Sequence, residues 1–127
     1  GLIMSVFKDS NSHIQIAVTL PNAVILNNNF SNLMKMGFEN FFSQFFDVRT
    51  SLDYPFETGG YSGVLILGES HVNWHSFPED HLMKIDIYSC KDIENKISVL
   101  FDGLSTLLST NDIVYKFTKG IENYVRY

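Results

Sequence analysis

The sequence predicts an α+β domain in which two amphipathic helices cover one face of an antiparallel sheet. Three observations carry that expectation. Apolar and polar residues alternate in several separate stretches, as in strands with one buried face. Two other stretches repeat at helical spacing. The middle strands are joined by connections of hairpin length, which require antiparallel neighbours. Helices on one side of such a sheet make a two-layer sandwich. A chain of 127 residues suits one core, so residues 1–127 read as a single domain.

The elements follow in order. Gly1 to Ser12 is mixed in character and shows no period. From His13 to Leu20, the residues Ile14, Ile16, Val18 and Leu20 fall on one side, which predicts a strand ended by Pro21-Asn22. Asn27-Asn28-Asn29 is a turn or helix lead-in, because asparagine side chains bend and cap the backbone. Met34, Phe38, Phe41, Phe42 and Phe45 recur at helical spacing, an aromatic stripe expected to pack on the sheet. Val48 to Tyr54 is a strand, interrupted by Pro55 and then Gly59-Gly60. Gly63 to Leu67 is a short, almost wholly apolar strand. After Gly68, Glu69 to His75 alternates, with Val72 and Trp74 opposite His71, Asn73 and His75. Pro78-Glu79-Asp80 turns the chain, and His81 to Cys90 sets Met83, Ile85 and Ile87 against Lys84, Asp86, Tyr88 and Cys90. Asp92 is placed to cap a second helix with the apolar face Ile93, Ile97, Leu100, Phe101, Leu104, Leu107 and Leu108. Asn111-Asp112 closes it, and Ile113, Tyr115 and Phe117 make a last strand. Ile121 to Tyr127 gives no clear pattern.

Composition narrows the function classes. A formal net charge of −5 argues against a nucleic-acid binder, which would need clustered lysine and arginine. With 45% hydrophobic residues the chain is too apolar to be disordered. Its longest apolar runs, such as Val64 to Leu67, are four residues, so no membrane span is expected. Nothing reads as an export signal. The single cysteine, Cys90, can form neither an internal disulfide nor a cysteine-rich zinc site alone. A reducing, cytoplasmic location is the expectation.

Polar side chains concentrate between Tyr61 and Cys90. Glu69, Ser70, His71 and His75 fall within seven residues, with Ser62 upstream. A zinc site from His71 and His75 is disfavoured, because residues four apart on a strand lie roughly 13 Å apart. Both would have to come within about 2 Å of one ion. No metal is therefore expected. A serine hydrolase would place its nucleophile in a G-x-S-x-G elbow before a helix. Gly68-Glu69-Ser70-His71-Val72 has one of the two glycines and leads into a strand. A Cys90–His75 thiol nucleophile pair is chemically open, and so is a solvated polar face with an inert thiol.

The block Gly60-Tyr61-Ser62-Gly63-Val64-Leu65-Ile66-Leu67-Gly68-Glu69-Ser70-His71-Val72-Asn73-Trp74-His75-Ser76-Phe77-Pro78-Glu79, continued by Ile85-Asp86-Ile87-Tyr88-Ser89-Cys90, resembles the signature of the prokaryotic S-adenosylmethionine decarboxylases. The match runs without a gap from Ser62 to Cys90, roughly a quarter of the chain. E-S-H-x-x-x-H-x-x-P-E with a cysteine twenty residues after the serine is a specific signal.

The resemblance implies a proenzyme that cuts itself between Glu69 and Ser70, leaving chains 1–69 and 70–127. The Ser70 hydroxyl attacks the preceding carbonyl to give an ester. Loss of the Ser70 α-proton and β-elimination then expel the Glu69 carboxylate, and the dehydroalanine left behind tautomerises and hydrolyses, releasing ammonia, to a pyruvoyl group. The residues matching His75 and Ser62 assist this processing. The pyruvoyl carbonyl forms a Schiff base with the substrate amine and accepts electrons as CO₂ leaves, and the residue matching Cys90 returns a proton. Phe56 and Phe77 match aromatics that sandwich the adenine, and Glu79 matches a glutamate that contacts the ligand. The product would supply aminopropyl groups for spermidine synthesis. The resemblance also implies a homodimer in which two sheets face each other as four layers, α/β/β/α.

The chain departs from the family pattern in places. Its first strand, His13 to Leu20, carries no carboxylate where a glutamate is usual. Asn73-Trp74 replaces a small or β-branched pair, Phe77 stands for tryptophan, and Lys91 for glycine. These departures leave open a decarboxylase of arginine or ornithine, and a non-catalytic homologue acting as a binding or regulatory subunit.

Overall fold

The computed structural model describes residues 11–121 and 125–127. The first ten residues of the mixed N-terminal stretch and residues 122–124 of the tail lie outside the described residues. The first alternating stretch forms β1 (Ser12–Thr19), with Ile14, Ile16 and Val18 buried and Gln15 and Thr19 exposed. The remaining strands are β2 (Thr50–Pro55), β3 (Tyr61–Ile66), β4 (His71–Phe77), β5 (Leu82–Ser89) and β6 (Ile113–Lys119). The aromatic stripe forms α1 (Ser31–Phe42), and the leucine-rich stretch forms α2 (Ile97–Leu108). The strands lie in one six-stranded sheet in the order β2-β3-β4-β5-β1-β6, every pair antiparallel. Pro55 is tolerated because β2 is an edge strand, where a missing N–H breaks no ladder.

The core is one cluster between the sheet and the two helices. Phe38, Phe41 and Phe42 of α1 and Leu100, Leu104 and Leu108 of α2 are buried against Ile14, Ile16, Leu65, Val72, Trp74, Ile85 and Ile87 of the sheet. Burying each such side chain stabilises the fold by about 1.5–3 kcal/mol. The α+β two-layer sandwich is therefore what the chain forms. Its register depends on one close approach: the Trp74 indole lies over Gly63, its cross-strand partner, and a Cβ there would sit 2.0 Å from Trp74 Cζ2. The helices touch where the Phe41 ring fills the space beside Gly103.

Several expected boundaries move. Asp92 does not cap an α-helix. Its carboxylate accepts from the Glu94 N–H at 3.0 Å, a single 3-10 turn follows over Glu94–Lys96, and α2 begins at Ile97. Phe45 lies past the end of α1 yet still packs on the core. Leu107, assigned to the buried face of the second helix, is 39% exposed. Two short 3-10 turns, Ala23–Leu26 and Asn28–Phe30, lead into α1, the first capped by Asn22 rather than by the asparagine run.

The other face of the sheet carries Ser62, His71, Asn73, His75, Lys84, Asp86 and Tyr88 together with exposed Leu52, Tyr54, Ile66 and Val114. No helix covers it among the described residues.

Candidate active site

Glu69 and Ser70 lie at the turn between β3 and β4, two residues and one residue before the strand in which alternation had put them. The Leu67 N–H donates to the Ser70 carbonyl at 2.8 Å, which leaves Gly68 and Glu69 as a two-residue tip. Gly68 has φ +80°, a conformation that a side chain would resist, so the tight reversal depends on glycine here. Glu69 is exposed, whereas Ser70 is 6% exposed. β4 pairs with β5 in the register His71↔Tyr88, so Ser70 falls beside the end of β5. There its Oγ accepts a hydrogen bond from the Cys90 backbone N–H at 2.9 Å. Half-buried Cys90 follows β5 directly, and both residues line a cavity of about 260 Å³ walled by Phe45, Phe46 and Leu67.

Ser62 and His75 form a second cluster. They are directly opposed across β3 and β4, and Ser62 Oγ lies 2.6 Å from His75 Nδ1. When Nε2 carries the ring proton, Ser62 donates to Nδ1. His75 is exposed and borders two shallow concavities on the open face, of about 290 and 260 Å³. Phe56, Phe77 and Glu79 belong to this end of the sheet. Phe56 follows β2 and is 40% exposed, Phe77 closes β4, and exposed Glu79 sits in the 3-10 turn Pro78–Asp80.

The chain thus brings Ser70 to Cys90, and Ser62 to His75, but keeps the two pairs apart. Five residues of extended chain separate Ser70 from His75, roughly 16 Å.

Between them lie contacts that sequence reasoning did not assign. The His13 Nε2 sits 3.1 Å from both carboxylate oxygens of Asp86. The His71 and Tyr88 rings stack with centroids 5.5 Å apart. Alternation had already set Asp86 and Tyr88 on one face of β5 and His71 on one face of β4. The missing signal was strand order, because β1 meets β5 only through a long-range pairing. Among the described residues, no three His, Cys, Asp or Glu side chains converge as a metal site.

The S-adenosylmethionine decarboxylase family model matches residues 32–119, which include both clusters and most of the sheet. The chain belongs to the S-adenosylmethionine decarboxylase family. Relatives named S-adenosylmethionine decarboxylase proenzyme include one from Oceanobacillus iheyensis, 48% identical over 46 residues, and one from Thermoplasma acidophilum, 40% identical over 65 residues. These segments cover 36% and 48% of this chain and 36% and 50% of the relatives, so the matches span between about a third and a half of the relatives' length. The fold extends further. A crystal structure of the adenosylmethionine decarboxylase from Aquifex aeolicus VF5 superposes with a TM-score of 0.73 at 22% identity, covering 94% of this chain and 99% of that one. The decarboxylase family fold therefore accounts for the six-stranded antiparallel sheet and both helices, the two-layer arrangement that the resemblance implied.

Proposed function

We propose that the chain is a self-processing, pyruvoyl-dependent decarboxylase of S-adenosylmethionine whose product serves polyamine synthesis. One observation carries the reading: the Glu69–Ser70 peptide stands at a hairpin tip, with the Ser70 hydroxyl oxygen already fixed by the Cys90 N–H. A serine at that tip fits the group the family requires, because only the Ser70 side chain and the Glu69 carbonyl are needed to make it. Attack of Oγ on the Glu69 carbonyl forms the ester C–O bond and breaks the amide C–N bond. The Cys90 N–H orients the attacking oxygen. Removal of the Ser70 α-proton then expels the Glu69 carboxylate and leaves a dehydroalanine at the start of the 70–127 chain, which tautomerises to an imine and is hydrolysed by water, with release of ammonia, to the carbonyl-bearing start.

The pyruvoyl group, linked to the substrate amine, supplies the electron sink for loss of CO₂. Cys90, which lines the same cavity as Ser70, carries the thiol that returns a proton to the substrate α-carbon. Phe56 and Phe77 present ring faces for a purine, and Glu79 a carboxylate at the rim. Since His75 lies roughly 16 Å from Ser70 in its own chain, its role in processing calls for a second copy. Two open faces packed against each other would bury Leu52, Tyr54 and Ile66 and set the His75 of one chain toward the Ser70 of the other. The homodimer is part of the proposal for that reason.

Intact mass under denaturing conditions tests the reading. The expected result is two species of 69 and 58 residues, the second lighter than its sequence by one ammonia, and a single 127-residue species for Ser70→Ala. An uncleaved wild-type chain would favour the non-catalytic reading. Release of CO₂ from arginine or ornithine but not from S-adenosylmethionine would move the substrate to a basic amino acid.

A further inference from the structure

The turns that lead into α1 are tied to the end of the sheet that carries Phe56 and Phe77. The Tyr61 hydroxyl donates to the Ile25 carbonyl at 2.7 Å. Ser76 Oγ donates to the Leu26 carbonyl at 2.7 Å and accepts from the Tyr61 N–H at 2.9 Å. With Leu26 fully buried, the turn Ala23–Leu26 is held against β3 and β4. Asn28, half-buried in the next turn, is held in place with it. Its side-chain amide donates to the Phe56 carbonyl at 2.6 Å. Phe56 begins the tip of the β2–β3 hairpin: its N–H donates to the Gly60 carbonyl at 3.0 Å, and its own carbonyl also accepts from the Gly59 N–H at 3.2 Å. Because β2 is an edge strand, no further strand supports the tip from outside. Among the described residues, the Asn28 amide makes the one hydrogen bond that ties residues 56–59 to anything beyond the hairpin.

The spacing of two rings depends on that bond. Gly60 stands between Phe56 and Phe77: a Cβ on it would lie 3.0 Å from the Ser76 carbonyl oxygen and 3.3 Å from Pro78 Cδ, in the two residues that flank Phe77. The backbones of Phe56 and Phe77 are thus two strand spacings apart, roughly 9–10 Å. Paired aromatic rings have centroids roughly 4.5–7 Å apart, so a purine held by both needs platforms roughly 9–14 Å apart. An outward swing of the tip would break one of the two stacks. We propose that Asn28 is a positioning residue for the nucleoside: through the Phe56 carbonyl it holds the hairpin tip so that the two rings keep the separation a purine fills. It bonds the Phe56 backbone and not the ligand. The inference rests on the purine reading of Phe56 and Phe77 and adds to it the group that sets their spacing. Ser70 and Cys90 stand at the other end of β4, so the effect falls on binding rather than on self-cleavage or loss of CO₂.

The experiment is steady-state release of CO₂ from carboxyl-labelled S-adenosylmethionine by the processed protein, with Asn28→Ala and Asn28→Asp made alone and in the Phe56→Ala background. Alanine removes the amide, and aspartate keeps its size but has no N–H to donate. Each single variant is expected to raise KM about fivefold, the worth of one hydrogen bond, with kcat within about twofold of the wild type. In the Phe56→Ala background the same substitutions should change KM by less than about twofold, because residues that act through one another do not add. An unchanged KM in the folded variants overturns the proposal while the substrate reading stands. An equal rise in both backgrounds overturns it as well, since Asn28 would then act other than through Phe56. If one substitution prevents folding, the other decides; if both do, Asn28 serves stability and the proposal falls. If the wild type releases no CO₂ from S-adenosylmethionine, the substrate reading fails and this inference fails with it.

Discussion

At the tip of the β3–β4 hairpin, Ser70 is 6% exposed and its hydroxyl is held by a backbone N–H, whereas at the opposite end His75 is exposed and bonded to the side chain of Ser62. The first arrangement needs only the fold of one chain: once β4 and β5 are in register, the Cys90 N–H has no choice but to meet Ser70. The second is a side-chain pair on a bare sheet face, beside apolar residues that nothing covers among the described residues. One end is complete within the chain, and the other waits for a surface. The proposed chemistry divides in the same way, with the nucleophile and the proton donor at the closed end and the processing pair and the nucleoside aromatics at the open one.

The strongest break of that comparison is to separate the two ends onto different copies. His75→Ala alone should cut itself about 10²–10⁴-fold more slowly, the usual range for a lost acid–base group. Refolding it together with an equal amount of Ser70→Ala should restore cleavage to about a quarter of all chains, since random pairing in a two-fold dimer makes one complete site in half of the dimers. Denaturing mass spectrometry reads the result. No rescue would mean that the two clusters do not meet across an interface.

A smaller effect probes what supports the open end from beneath. Gly63→Ala puts a Cβ into the Trp74 indole, one residue along from the Ser62–His75 pair. It should cost about 1–3 kcal/mol in urea unfolding, the range for overpacking. A variant as stable as the wild type would show that the indole can shift without cost.

The smallest effect concerns Tyr61, also beneath the open end, whose hydroxyl donates to the Ile25 carbonyl at 2.7 Å. Burial pushes its pKa well above the ordinary value of 10.0. The folded state therefore keeps the phenol proton while the unfolded chain releases it. Stability is fully present below about pH 10 and falls as the pH rises further. Tyr61→Phe should lose about 1 kcal/mol at neutral pH, the worth of the hydrogen bond, and should flatten that alkaline decline. Thermal unfolding from about pH 8 to about pH 11 measures both. An unchanged alkaline slope would assign it to other groups.

The period of two was enough to say which residues of each strand share a face, and for β1, β4 and β5 the buried sets are those the alternation predicted. The motif from Ser62 to Cys90 likewise named both clusters by residue type and spacing. Where reading along the chain erred, short-range competition explains it. Glu69 and Ser70 continue an alternating pattern, yet Gly68 allows a reversal that removes them from the strand. Asp92 has the side chain of a helix cap but spends it on a 3-10 turn, and Lys119, far along the chain, bonds both Asp92 and Glu94. The Glu94 backbone N–H, and after it Lys119, hold the Asp92 carboxyl below its ordinary pKa, while Glu94 and then Asp92 hold the Lys119 ammonium above its own.

By itself, the sequence determined the element types, the faces of the strands, the family and the residues that could carry chemistry, because these depend on local period and on residue identity. Only the tertiary structure decided that β1 lies between β5 and β6, that His13 reaches Asp86, and that Asn28 reaches the Phe56 carbonyl. It also decided that Ser70 and His75, five residues apart in the motif, stand at opposite ends of a strand. An extended backbone advances roughly 3.3 Å with every residue, so neighbours in a motif become distant in space unless the chain turns between them.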